Sequence, residues 1–379
     1  MTDFATDKLS TSNTDVKPAM SKPSSGNSSH RQTEPHSVKQ AQTGLTFKWI
    51  ATIGCIVWLL FLLAPFYWVT VTAFKPPQAV NGGATYLPFI DFAPTLEAFR
   101  EVISGIRGDF VGPFWHSSLI ALVSTCLSVL LGSMAAYGIA RFEFRIRLLA
   151  GVTFAIVGIG GFLALTELVE FAIPQAILIS LVAAFVSSFF INKLRLPGPV
   201  LGNDDVTFWF VSQRMFPPIV SAFALYLFYA ELGKQGVQLL DSFFGMVVAY
   251  TAFGLPLAVW LMRDFFRSIP VEVEEAAMVE NVPRLRIFFD IVLPMSKPGL
   301  IATFMITLSF IWNEFLFALL LTSSRWQTLP VVLAGQNSSR GDEWWAISVA
   351  TLISIIPMII VVSLLGRLMK SGLLSGSIK

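Results

Sequence analysis

The stretch Arg263–Pro298, RDFFRSIPVEVEEAAMVENVPRLRIFFDIVLPMSKP, decides how the rest of the chain is read. It is a moderately charged segment of 36 residues lying between two apolar runs, and it carries a helical pattern of its own. Pro270 suits a first helical turn, and Glu272, Glu274 and Glu275 suit the positive end of a helix dipole. Asn281 suits the left-handed residue that ends a helix. Arg284–Leu293 then predicts a second short helix before Pro294 and Pro298. On pattern alone two readings stand: an amphipathic surface helix buried against lipid, or a helix docked in a protein groove. The adjacent small residues Ala276 and Ala277 favour close packing in a groove.

On either side the chain is apolar. Of its 379 residues, 54% are hydrophobic and 13% charged, about half the charge of an ordinary soluble protein. A helix crossing about 30 Å of hydrocarbon at about 1.5 Å per residue needs roughly 20 apolar residues. Eight runs meet that need, at about 49–74, 114–140, 148–165, 172–191, 207–230, 240–262, 299–322 and 344–369. The fold class expected is all-α and polytopic. Gly132, Ser133, Ala135, Ala136 and Gly138 would let helices approach closely in lipid. Residues 1–43 are polar with almost no large apolar side chain, which predicts a disordered tail rather than a signal peptide.

Basic residues orient the spans. With a cytoplasmic N-terminus, the segments placed inside carry 19 Lys and Arg, those outside carry 6, and Arg214 lies near the inner end of a span. An odd number of crossings in 148–192 would put the basic residues of 263–298 outside, so that region is read as two spans or none. The near-neutral net charge of +2 and the lack of a basic cluster speak against nucleic acid. Cys55 and Cys126 sit in apolar runs, so neither a disulfide framework nor a metal site is expected. Catalytic residues are not expected either: His30 and His36 lie in the tail, and His116 is read as interfacial. Gly233-Lys234-Gln235 is not a phosphate-binding loop. An ion-coupled carrier is the alternative, but it predicts internal repeats and paired intramembrane charges, which the sequence does not display. Glu314, about 15 residues into its run, is the notable intramembrane acid.

Glu275-Ala-Ala-Met-Val-Glu280-Asn281, with Ile291-Val-Leu293-Pro294 at matching spacing, resembles the EAA loop of ABC importer permeases, with Asn281 where that family has Gly. Pro65-Phe-Tyr-Trp68, Ala136-Tyr137, Arg141-Phe-Glu-Phe-Arg145, Met215-Phe-Pro-Pro218, Trp312-Asn313-Glu314-Phe315 and Ser371-Gly-Leu373 resemble the carbohydrate branch, of the maltose-permease second-subunit type. The alpha-glucoside permeases are the nearest subgroup. The resemblance covers about 45–147 and 207–379. It implies a six-helix core, first helices and outer loop in 44–147 and the remainder in 207–379, with 148–206 as an inserted hairpin. It further implies sugar import across a bacterial inner membrane. The partners implied are a second permease subunit, a solute-binding protein and a separate ATPase dimer that holds ATP and Mg. Glu275, Ala276, Ala277, Glu280, Asn281, Leu293 and Pro294 would then couple to the ATPase. Trp312, Asn313, Glu314 and Phe315 would border the sugar path.

Overall fold

The computed structural model describes residues 45–82, 85–106, 109–169, 171–194, 197–339 and 343–373. The expected tail and Arg340 lie outside them. The chain falls into two units, residues 1–60 and 61–379. What is described of the first is the opening turns of α1 (Leu45–Ala73), exposed from Phe47 onward.

In the second unit, α2 (Pro77–Asn81) and α3 (Glu97–Ile103) form a small cap, and α4 (Val111–Arg141) is the first buried span. Strand β1 (Ile146–Arg147) pairs antiparallel with β2 (Val200–Leu201). Between them α5 (Leu148–Glu167) and α6 (Ile173–Lys193) form the hairpin expected in this region. The two-residue ladder means the chain leaves for the hairpin and returns at one point. Next come α7 (Asn203–Ser212), α8 (Pro218–Lys234) and α9 (Phe243–Arg267). The segment between spans holds α10 (Val271–Val279), α11 (Arg284–Ile287), a π turn over Phe288–Val292, and α12 (Leu293–Met295). The chain ends in α13 (Lys297–Trp312), α14 (Leu316–Leu321), α15 (Leu329–Ser339) and α16 (Trp344–Leu373).

Helices α4 and α9 form the spine. Ser124 Oγ donates to Val247 O at 3.4 Å and Ser128 Oγ to Thr251 O at 3.0 Å. Gly132 then meets Ala258, and Tyr137 meets Phe266. Both partners rise in number together, so the two helices run parallel. An odd number of crossings therefore separates them, and α5, α6 and the bent α7–α8 pair supply three. A single span in 148–192 would make α4 and α9 antiparallel, whereas two or none keep them parallel, and two helices stand there.

Among the described residues six helices have the length and apolarity to cross a membrane, and up to eight spans result if two bent pairs are each counted as one. Two of the expected runs are thus interrupted. The run 207–230 is broken by 89° between Asn203–Met215 and Pro218–Lys234. Pro217 and Pro218 lack the N–H that a continuous helix needs and clash with the preceding turn. The run 299–322 stops at Trp312 and resumes at Leu316. At its N-terminal end an 80° bend separates Arg284–Met295 from Lys297–Trp312, as a helix lying across the ends of the spans requires.

Candidate functional site

Helix α10 has nine residues, too short to be stable alone in water, where about 12–15 residues are marginal. Its register supplies the anchor. Residues 274, 277 and 278 share one face at helical spacing, and that face is the inner one: Glu274 is 4% exposed, and Ala277 and Met278 pack on the inner core. That core is built from Val259, Met262, Phe266, Ile287, Phe288 and Val292 with the end of α4.

The Glu274 carboxylate is met on both oxygens. Arg141 Nε donates to Oε1 at 2.6 Å, and Tyr137 Oη donates to Oε2 at 2.7 Å. Arg141 also donates from its guanidinium to Ile269 O at 2.9 Å, just before α10 begins. The pair is buried, with side chains 7% and 6% exposed. The Tyr137 ring leans on Phe288 at 5.0 Å and stands edge-on to Phe266 and Phe142. The last turn of α4 thus grips α10 through one carboxylate and the residue before it.

The cap works as the sequence suggests. Asn281 has φ +58°, its N–H donates to Met278 O at 3.0 Å, and Val282 N–H donates to Ala277 O at 3.1 Å. This is the paired bonding of a Schellman cap, with Asn in the place glycine usually takes. Val282 folds back onto the inner core beside Ala277, the apolar contact that accompanies such a cap.

The residues singled out in this loop therefore divide between two faces. Ala277 and Leu293 pack inward. Glu275, Ala276, Glu280, Asn281 and Pro294 are exposed, together with Glu272 and Val279. Sequence reasoning missed Glu274, Tyr137 and Arg141 as a unit. The pattern contains two adjacent glutamates, and a step of one residue turns a helix by 100°, so pattern alone does not say which points inward.

The neighbouring connections converge on the same end of the bundle. Asn203 donates through Nδ2 to Ile139 O and Phe142 O, each at 2.6 Å, and accepts from Phe144 N–H at 2.8 Å. Asp204 pairs with Arg263, and with Arg267 at 3.2 Å. So 141–147, 192–206 and 263–298 share one face, as the charge count requires.

At the opposite end Asp241, at φ +48°, sits under the loop 323–326. It accepts from the N–H groups of Ser324 at 3.0 Å, Arg325 at 2.9 Å and Trp326 at 2.9 Å, and from Ser323 Oγ at 2.9 Å. Partial burial acts to raise its pKa, but the backbone donors of Arg325, Trp326 and Ser324 outweigh it and hold the carboxyl well below the usual range. A depressed carboxylate stabilises the fold above its unfolded pKa of about 4 and loses that contribution as pH falls further. Asp241→Asn is therefore expected to lower the melting temperature in detergent at pH 7, with the gap to wild type narrowing below about pH 4. Melting curves at pH 7, 5 and 3.5 check this.

The quartet at the α13–α14 break divides between buried and exposed positions. Trp312 is 8% exposed, donates through Nε1 to Ser354 O at 3.2 Å and stands edge-on to Phe114. The Glu314 carboxylate accepts from Phe317 N–H at 3.0 Å and Ala318 N–H at 3.3 Å, capping α14 where the span is interrupted. Asn313 is exposed and bonds Ser309 O at 2.8 Å, and Phe315 is half-buried. Among the described residues no cluster of His, Cys, Asp or Glu has the arrangement of a metal site.

The chain is thus a polytopic helical bundle with a short helix clamped across one end, one face buried and one bare. The chain belongs to the family of binding-protein-dependent transport system inner membrane components, whose model matches residues 128–374. It is a multi-pass inner-membrane protein of that family. It is 28% identical over 329 residues to the trehalose/maltose transport system permease protein MalG of Thermococcus litoralis, covering 86% of this chain and 95% of that one. It is 28% identical over 324 residues to the trehalose transport system permease protein SugB of Mycobacterium tuberculosis, covering 84% and 93%. The fold is shared with a bacterial ABC transporter involved in the import of the acidic polysaccharide alginate, at TM-score 0.55 and 19% identity over 86% of this chain and 98% of that one.

Proposed function

We propose that this chain forms one half of the channel of an ATP-driven sugar importer. The observation that carries the reading is α10: locked to α4 through Glu274 on one face and bare on the other, where Glu275, Ala276, Val279 and Glu280 lie. Such a helix transmits force to the spans from whatever seats on its bare face. The partner for that face is a separate ATPase dimer, which carries the ATP and Mg. A second permease subunit completes the channel, and a solute-binding protein delivers substrate at the opposite end. The sugar assignment draws on the relatives, two of which are described as trehalose or trehalose/maltose permeases. The N-terminus and the α10 face are cytoplasmic on this reading, consistent with the excess of Lys and Arg on that side. The α5–α6 hairpin is an appendage to a six-helix core, since β1 and β2 close it at its base.

Ala276 is exposed at the centre of the bare face and makes no hydrogen bond to the bundle. Ala276→Arg is therefore expected to leave the bundle intact while abolishing seating of the ATPase. The check is copurification of the ATPase with the tagged chain and ATP-dependent uptake in vesicles. We expect both to fall at least tenfold; unchanged uptake would refute the docking assignment. Sugar uptake without any need for ATP would refute the class.

A further inference from the structure

A cavity of about 790 Å³ opens beside the middle of α9, between Ala249 and Pro256, and the proposed function does not use it. Its walls include Arg214, Ser221, Phe253, Phe310 and Phe317. The Arg214 guanidinium lies over the Phe310 ring at 4.7 Å and the Phe253 ring at 5.2 Å. Arg214 is the sole charged residue in the described lining, and among the described residues no carboxylate pairs with it. A guanidinium within a membrane-spanning segment is expensive unless its donors meet oxygen atoms. Both rings lie within cation–π range of it.

The cavity also lies where the two interrupted spans meet. Arg214 is in the 3-10 turn Gln213–Met215, before the break at Pro217. Phe310 and Phe317 stand on either side of the α13–α14 break. The N-terminus of α8, a helix of 17 residues, begins at the same place with no side chain capping it. Its first N–H groups add positive potential to that of Arg214. In secondary transporters, interrupted helices that line a cavity present polar groups to the solute.

We infer that this cavity is a sugar subsite on the transport path. Arg214 donates to ligand oxygens, and Phe253 and Phe310 present apolar ring faces to the C–H side of the sugar. The inference rests on the sugar-import reading and deepens it by naming a specificity-determining residue. Lipid tails or a helix of the second permease subunit are the rival occupants.

The test uses the complete importer in liposomes, assembled with its ATPase and binding protein. Labelled maltose, trehalose and a uronate-containing disaccharide are the probes. Arg214→Ala is expected to cut the maximal uptake rate at least tenfold. Assembly and basal ATP hydrolysis should stay within twofold of wild type, so ATP consumed per sugar rises about tenfold. Phe310→Leu should reduce uptake severalfold and Phe310→Trp should preserve it. Uptake within twofold of wild type in Arg214→Ala would overturn the inference alone. So would loss of uptake together with assembly or basal hydrolysis, which marks a packing residue or a subunit contact. A wild-type complex that hydrolyses ATP but takes up none of the sugars overturns the sugar reading itself, and this inference with it.

Discussion

Glu274→Gln is expected to uncouple ATP hydrolysis from transport. The substitution keeps the side-chain shape but removes the charge that Arg141 faces at 2.6 Å in a site where both side chains are at most 7% exposed. Removing one partner of a buried pair leaves the other charged and unsatisfied, at a cost of about 3–5 kcal/mol. At about 1.4 kcal/mol per factor of ten, the undocked population of α10 rises roughly 100- to 4,000-fold. The helix would still seat on its partner through its bare face, but its motion would no longer be delivered to α4. We expect uptake to fall at least tenfold while the ATPase still copurifies and still hydrolyses ATP. Replacing both partners by apolar residues, Arg141→Leu with Glu274→Leu, should recover stability relative to either single change, because no buried charge is left over. Tyr137→Phe removes a single bond to the same carboxylate and should cost less, about 1–2 kcal/mol. Equal uptake in Glu274→Gln and wild type would mean that α10 is held by packing alone.

Gly132→Leu is expected to have the largest effect on stability. A Cβ at Gly132 would stand 2.6 Å from Ala258 Cβ and 3.2 Å from the backbone of Ala258 and Val259. Those atoms belong to α9 itself, so relief requires moving a helix rather than turning a side chain. At Gly254 a Cβ would stand 2.7 Å from Ser128 Oγ and 3.1 Å from Ile311 Cδ1, where α4, α9 and α13 meet. In lipid the close approach is what holds helices together, since burial of apolar surface gives no drive there. Overpacking by one side chain costs about 1–3 kcal/mol or more. Pushing α4 from α9 also breaks the Ser124 and Ser128 bonds to α9 carbonyls. At about 2–4 °C per kcal/mol, Gly132→Leu should lower the melting temperature in detergent by roughly 10 °C, with Gly254→Leu close behind. Gly160→Ala, with nothing within 4 Å of its would-be Cβ, is the matched control and should melt with wild type.

The long apolar runs, the hairpin at 148–193 and the short helix of residues 271–279 were legible in the sequence because each follows from local pattern or from parity. The charge count needed an even number of crossings before α7, two or none, and the parallel packing of α4 with α9 is the same parity seen in space. The left-handed cap at Asn281 was legible too, because few residues tolerate that backbone. The breaks were less so. The Pro217-Pro218 pair marks the first, but its neighbours on both sides are apolar enough to read as one span. The second break, at Asn313–Phe315, has no proline; it depends on Glu314 folding back to cap α14. The Glu274 clamp was not legible, since its partners lie 133 and 137 residues away and the helix face is fixed by tertiary packing. For the same reason Arg214 read as an isolated intramembrane charge. Only the fold brings Phe253 and Phe310 within about 5 Å of it.

On the proposed function, the bare face of α10 receives the motor. With Cys55 and Cys126 replaced by serine, Ala276→Cys should cross-link to a copurified ATPase subunit, and ATP analogues that close the ATPase should change the yield. A cysteine at Gly160, on the hairpin, should give no such product. A complex that transports with ATP but yields equal cross-linking from both positions, or none from Ala276→Cys, would contradict the account.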